Sequence, residues 1–512
     1  MLAKVDSACL MGLDAAIVHV EISLARGAPC FSIVGLPDAA TREAKDRVVA
    51  AIRNSGFKFP SQRITVNLAP AELKKEGSAY DLAIAIGILM ASEMIAPQIW
   101  PRAIWLGELA LDGSIRPVRG ILAMARSLAK RGNRFFVLPS RNAGDVRLLH
   151  DVKLLPFAKL SDIVGWLQGD IPAPAVQSIE TWQPAISQGP IDLAEIKGQA
   201  VARRALEIAA AGHHNLLMMG TPGTGKSMLA HALPSIMPRW SLEEALDASQ
   251  VHSLVDPLHQ TGLLQQRPFR APHHSASSVA LVGGGDTPLP GEISLSHQGV
   301  LFLDELPEFH RDALEALRQP LEDGVVHVLR VRGRATFPAQ FLLVAAMNPC
   351  PCGLRGHPKR ECTCPDIKVQ RYLSKISSPL LDRIDLQVEL RPLETNELFS
   401  DAAPSENSAT VQARVENARA RQRERYAAST TGTRYNARLS GAELRKYCPL
   451  NGESRRLLQA AADRLGLSAR AFDRIRRVAR TIADLAGVES VETPHLAEAV
   501  HYRSLDRSRR HF

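Results

Sequence analysis

Residues Gly220, Thr221, Pro222, Gly223, Thr224, Gly225, Lys226 and Ser227 spell G-x-x-x-x-G-K-S directly after an apolar run, residues 215–219. That spacing suits a phosphate chain. The glycines let the backbone curl until several N–H groups face one anion, and a helix expected to begin near Lys226 adds its partial positive charge there. Lys226 can reach the β- and γ-phosphates of a nucleoside triphosphate, and the Ser227 hydroxyl can ligate Mg²⁺. A second group, Val300-Leu-Phe-Leu303-Asp304-Glu305, is four apolar residues followed by two acids. A buried parallel strand reads as such a run, and ligands of open α/β sheets collect at the carboxyl ends of strands. Asp304 is expected beside Mg²⁺, directly or through water, and Glu305 is expected to polarise the attacking water. The competing reading is a pair of exposed acids capping the next helix.

A third group is Cys350, Cys352, Cys362 and Cys364, two C-x-C pairs separated by nine residues. Four thiolates on two short loops can surround Zn²⁺ tetrahedrally, although C-x-C is tighter than the usual C-x₂-C. Unbound buried thiols or a redox pair are the alternatives, and His357 is a fallback ligand. Between Glu322 and Pro338, β-branched runs flank an Arg/Gly tip carrying Arg330, Arg332, Gly333 and Arg334. This reads as a β-hairpin whose guanidiniums would contact phosphates without reading bases, or else as a salt-bridged surface turn. The glycine-rich loop from Gly283 to Gly291 is a second element placed to touch substrate.

These groups need large scaffolds. The 512 residues imply about three domains, and 22% charged with 45% hydrophobic residues is a globular composition. No 18-residue apolar run and no secretory signal are found, so no membrane association is expected. Seven cysteines, four of them clustered, do not resemble a disulfide framework, and the cytoplasm is the expected compartment. The Pro/Gly-rich stretch 168–190 reads as a linker. It follows a region, 1–167, in which β-type runs (16–22, 64–67, 104–106, 135–138) alternate with helices. Residues 191–391 carry the nucleotide motifs, 392–410 form a connection, and 411–512 are an Arg/Ala/Leu-rich helical region. That last region holds 21 Lys and Arg against 11 Asp and Glu, so it contains the whole net surplus of +9. Such an excess attracts polyanions, nucleic acid above all, although much of it is expected to be solvated helix surface.

The motifs together resemble a family. Residues 341–347 followed by Asn348 look like the sensor-1 strand of an AAA+ ATPase, which lies between the two nucleotide motifs in space. Residues 378–385, with Arg383 between Asp382 and Asp385, resemble the arginine-finger segment of the branch containing magnesium chelatases and MCM helicases. Residues 467–480 resemble the sensor-2 helix of the same branch, with Arg470 as the sensor-2 residue and Arg474 the runner-up. With Arg270-Ala-Pro-His-His274, the whole chain is similar to the ComM/YifB family of magnesium-chelatase-like proteins. The resemblance implies an AAA+ P-loop ATPase core of α/β class, a C-terminal helical lid, and ATP with Mg²⁺ as ligands. An arginine supplied by a neighbouring subunit is worth about 10³–10⁵ in rate in related GTPases. The alternative for Arg383 is an intrachain ion pair with Asp382 or Asp385.

The N-terminal part resembles the Lon-protease-like α+β domain. Residues 76–82 look like its serine-bearing segment, and residues 107–123 like its lysine-bearing segment. Aligning Glu76-Gly77 puts Ala79 where the nucleophilic serine belongs, and aligning Pro117 and Gly120 puts Leu122 where the lysine belongs. A Ser–Lys dyad needs both a hydroxyl and an amine, so the scaffold is expected to lack peptidase activity. What the resemblance implies overall is a homohexameric ATP-driven motor on single-stranded or branched DNA, a branch-migration helicase in recombination and natural transformation. A chelatase-type remodeller of a protein or tetrapyrrole, and an ATP-dependent protease, are the alternatives.

Overall fold

Among the described residues two large sheets form, one from strands whose burial alternates along the chain and one from short apolar runs buried on both faces. A computed structural model describes residues 1–95, 103–150, 152–174, 182, 189–256, 262–330, 333–393, 406–427, 429 and 434–503. Most of the 168–190 and 392–410 stretches read as connections from sequence falls outside the described residues, as does Arg332 at the hairpin tip.

The first sheet has seven strands in the order Cys30–Val34, Arg63–Ala69, Asp14–Ala25, Leu2–Met11, Ala103–Trp105, Phe135–Pro139 and Lys153–Phe157. Leu2–Met11 pairs antiparallel with Asp14–Ala25 across a tight turn, where Gly12 adopts a left-handed φ of 67°. All four β-type runs anticipated from sequence are strands. Leu2–Met11, Cys30–Val34 and Lys153–Phe157 are additional. The inward side chains of Leu2–Met11 include Ala3, Ser7, Ala8 and Cys9, too small to raise a strong alternating apolar signal. The helix Asp81–Ala91 is apolar nearly all round and is buried against this sheet.

The second sheet is wholly parallel, in the order Phe269–Arg270, Val300–Leu303, Leu342–Met347, Leu216–Gly220 and Leu386–Leu390. Leu342–Met347 pairs with both Val300–Leu303 and Leu216–Gly220, so the strand ending at Asn348 separates the two nucleotide motifs. Every side chain of Val300–Leu303 and Leu342–Met347 is buried, the burial that a central parallel strand requires.

Among the described residues five α-helices follow the sheet: Ser408–Tyr426, Gly441–Tyr447, Gly452–Leu465, Ala469–Leu485 and Thr493–His501. In Ala469–Leu485, Ala471, Ile475, Val478, Ala479, Ile482 and Ala483 form one buried stripe that joins the core of the parallel sheet. Part of the basic surplus of this region is internal rather than solvated. Arg476 donates to the carbonyls of Leu444 and Cys448, Arg480 to those of Val488 and Glu489, and Arg503 to that of Ile384. These guanidiniums bond to backbone carbonyls at or just beyond helix ends, so their charge is withdrawn from the polyanion-attracting surface.

The N-terminal sheet is bolted to the nucleotide-binding part. Arg126 donates to Asp247 and Glu243 at 2.7 Å each and to Gln250 at 3.1 Å, all on the helix Leu242–His252. The Thr287 hydroxyl donates to Glu76, and Gly12 abuts Ala335 so closely that a Cβ there would lie 3.1 Å from the Ala335 Cβ.

Candidate nucleotide site

Gly220 ends its strand, the loop turns through Gly223 (φ 80°) and Gly225 (φ 87°), and Lys226–Ile236 begins as a helix. Positive φ at these two positions needs glycine, and a Cβ at either would meet nothing within 4 Å. The open space beside the loop is where a phosphate chain would fit. The Thr221 hydroxyl, buried and without a hydrogen-bond partner, faces the same need for a ligand. Lys226 Nζ is held in the curl by the carbonyls of Gly220 (2.7 Å) and Thr221 (3.0 Å) and by Asn348 Oδ1 at 3.2 Å. Burial lowers its pKa, opposed by the nearby charges of Asp304 and Glu305. A desolvated ammonium beside an open anion cradle gains most when phosphate arrives.

Ser227 Oγ donates to Asp304 Oδ2 at 2.8 Å, so the hydroxyl and the carboxylate expected around Mg²⁺ already meet. This oxygen pair fits a hard, oxygen-preferring cation. A bound Mg²⁺ would neutralise phosphate charge. Glu305 stands next in the chain with φ 52° and its carboxylate half exposed. Its Oε2 lies 3.4 Å from His274 Nδ1, a partner that no spacing argument anticipated. The only sequence signal for His274 was its place in residues 270–274, which served there as a family marker without a role.

The cysteines converge. Cys350 Sγ lies 3.4 Å from Cys352 Sγ and 3.5 Å from Cys362 Sγ, the last two are 3.6 Å apart, and all four sulfurs lie within 4.8 Å of one another. Tetrahedral Zn²⁺ with bonds of about 2.3 Å needs sulfur edges of roughly 3.8 Å, so the donor set fits. The Leu354 backbone N–H draws the Cys352 thiol down to about 6. The Cys364 backbone N–H pulls on Cys362 too, but burial and the thiols of Cys350 and Cys352 outweigh it and push that group up to about 12. A divalent cation at the centre of the four sulfurs would favour their thiolate forms. The knot also touches the nucleotide loop. A Cβ on Gly353 would lie 2.7 Å from Pro222 Cδ.

Arg383 and Arg470 lie at the opposite edge of the parallel sheet. They line one cavity of about 260 Å³ with Arg438, Arg474 and Arg477, beside Asn215 at the start of the phosphate-loop strand. The five-residue strand Leu216–Gly220 separates that edge from the phosphate loop by about 16 Å. Arg383 pairs with Glu322 rather than with its chain neighbours, and donates to the Pro379 carbonyl at 2.7 Å. Asp385 is engaged by Arg474 at 2.5 Å and His214 at 3.2 Å. Burial pushes the Asp385 carboxyl up, but Arg474 and His214 prevail and hold it below the ordinary carboxylate range.

The expected hairpin is present as Val325–Arg330 paired with Gly333–Pro338, with Arg330 opposite Gly333. Val326, Val328, Ala335 and Phe337 point into the core while His327 and Arg334 face outward. The Arg330 guanidinium rests on the shorter hairpin Gly283–Gly284/Leu289–Pro290. Arg334 lines a cavity of about 730 Å³ against the N-terminal sheet, together with Ala79, Glu76 and Glu108. Ser78 donates to Glu108, and Leu122 is wholly buried in a helix.

Comparison with known sequences agrees with this architecture. Residues 192–398 match the family described as magnesium chelatase, subunit ChlI; residues 20–142 match subunit ChlI of Mg-chelatase; and residues 405–503 match the ChlI C-terminal family. An uncharacterized protein YifB of Salmonella typhimurium is 44% identical over 508 residues, covering 99% of this chain and 98% of that protein. The competence protein ComM of Haemophilus influenzae is 45% identical over 509 residues, with the same coverages. An archaeal Lon protease of Halobacterium salinarum is 42% identical over 52 residues, 10% of this chain and 7% of that enzyme. With a parallel sheet carrying the phosphate loop, C-terminal helices and full-length likeness to both relatives, this chain belongs to the ComM/YifB family of magnesium-chelatase-like AAA+ proteins.

Proposed function

We propose that the chain is an ATP-hydrolysing ring motor acting on DNA, a branch-migration helicase of recombination and natural transformation. The observation that carries this reading is the incompleteness of one subunit: Lys226, Asp304, Glu305 and Asn348 gather at one edge of the sheet, and Arg383 and Arg470 at the other. In a homohexamer each subunit's arginine edge meets the next subunit's phosphate loop. There Arg383 and Arg470 neutralise charge developing on the transferred phosphoryl group, Glu305 activates water, and Ser227 and Asp304 hold Mg²⁺. Residues 220–225 cradle the phosphates. Cys350, Cys352, Cys362 and Cys364 would hold Zn²⁺, which would stiffen the loop that follows Asn348 and packs on Pro222.

DNA is the substrate that the hairpin favours. Arg330 and Arg334 flank the tip of an element leading directly into the strand that ends at Asn348, with Arg332 between them in the sequence, so a contact there moves with the nucleotide state. The full-length likeness to a competence protein supports the same reading. The test is movement of a labelled four-way junction by the full chain. Strand exchange should require ATP, Mg²⁺ and Lys226. ATP hydrolysis without any junction movement, but stimulated by a tetrapyrrole, would replace the DNA reading with a chelatase-type one.

A further inference from the structure

Asn215 uses its polar groups to join three parts of the catalytic unit. Its carboxamide nitrogen donates to the Arg383 carbonyl at 2.9 Å, and its Oδ1 accepts the Leu343 N–H at 3.0 Å. Its backbone carbonyl accepts from the N–H groups of Asp385 (3.1 Å) and Leu386 (3.0 Å). The pattern calls for an amide. Leu343 offers a donor and Arg383 an acceptor, so a carboxylate would face the Arg383 carbonyl with a second acceptor, and an apolar side chain would leave both groups unpaired.

The two strands that meet at Asn215 both run to the nucleotide. Leu216–Gly220 enters the phosphate loop, and Leu342–Met347 ends at Asn348, whose Oδ1 touches Lys226. At its own end Asn215 grips the backbone of Arg383 and of the strand behind it. We propose that Asn215 is a positioning residue for hydrolysis in the neighbouring subunit: it sets where Arg383 stands according to the strands that carry its own subunit's phosphate contacts. The inference rests on the ring reading above. A misplacement of about 1 Å in such a group costs on the order of 10²-fold in rate.

The experiment uses full-length subunits carrying Asn215→Asp, with Arg383→Ala in parallel. Asn215→Asp should lower kcat about tenfold or more while KM for ATP stays within about twofold. Mixing it with Lys226→Ala subunits should restore turnover, because one interface then joins an intact phosphate site to a correctly held Arg383. Arg383→Ala should be rescued the same way. Rescue of Arg383→Ala without rescue of Asn215→Asp, or a raised KM in Asn215→Asp, would place the action of Asn215 on its own phosphate loop and overturn the proposal. Rescue of neither variant would remove the ring reading and this inference with it. Should Asn215→Asp fail to fold, Asn215→Ser, polar but too short to span both partners, is read identically.

Discussion

His274 Nδ1 and Glu305 Oε2 stand 3.4 Å apart, with both side chains partly exposed, so the carboxylate expected to activate water is engaged by an imidazole. A water and the imidazole N–H would compete for the lone pairs of that carboxylate. Replacing His274 by Ala should free Glu305 and raise unstimulated ATP turnover. A net contact of about 1 kcal/mol corresponds to a gain of roughly fivefold. Steady-state phosphate release, with ATP affinity measured alongside, checks this; a fall in rate would assign His274 a direct part in hydrolysis.

Lys226 and Glu305 should fail differently when replaced. Lys226→Ala removes a charge-assisted phosphate contact and should weaken ATP binding by roughly 10- to 100-fold. Glu305→Gln should bind ATP normally and lose about 10²–10⁴ in turnover. Equal loss of affinity in both, measured by titration with a fluorescent ATP analogue, would contradict the division of roles.

Glu244 predicts an acid-sensitive joint between the core and the C-terminal helices. Burial pushes its carboxyl up, but Arg267, Arg419, the Ser241 backbone N–H and the Tyr435 hydroxyl outweigh that and hold it at about 2 in place of 4.5. The folded state therefore prefers the ionised form. Its stabilisation is complete above pH 4.5 and is lost as pH falls towards 2, on the order of 3 kcal/mol in all. Denaturant unfolding of Glu244→Gln should show lower stability at neutral pH and a flatter dependence between pH 4.5 and 2 than the parent chain. Parallel curves would refute the assignment.

What was legible in the sequence was what lies at strand ends. The phosphate loop and Asp304-Glu305 follow unbroken apolar runs, and buried parallel strands have no other way to look. The place of the Asn348 strand between them came from family likeness, because spacing alone cannot order parallel strands. Partners distant in the chain stayed hidden. Arg383 was weighed against the adjacent Asp382 and Asp385, yet its acid is Glu322, brought in by the fold from 61 residues away. The arginines of the last helices looked like a basic surface because composition cannot reveal that Arg476, Arg480 and Arg503 turn inward to carbonyls.

Protein purified without added metal should carry about one Zn²⁺ per chain by elemental analysis. Cys350→Ser or Cys364→Ser should abolish it and lower the melting temperature, since forming the site contributes folding free energy. With Gly353 against Pro222, ATP affinity should fall as well. A metal-free parent chain that melts at the same temperature as the serine variants would dispose of the zinc site.

An ATP-driven motor that grips DNA through its hairpin must couple that grip to turnover. Steady-state ATPase is recorded for the full chain across a salt series, with and without a four-way junction, beside the Arg330→Ala/Arg334→Ala variant. The junction should stimulate the parent chain and leave the variant unstimulated. Junction binding by the variant should have a salt slope reduced by roughly 0.7–0.9 for each phosphate contact removed. A parent chain whose ATPase is the same with single-stranded, duplex and four-way-junction DNA as with none would contradict it.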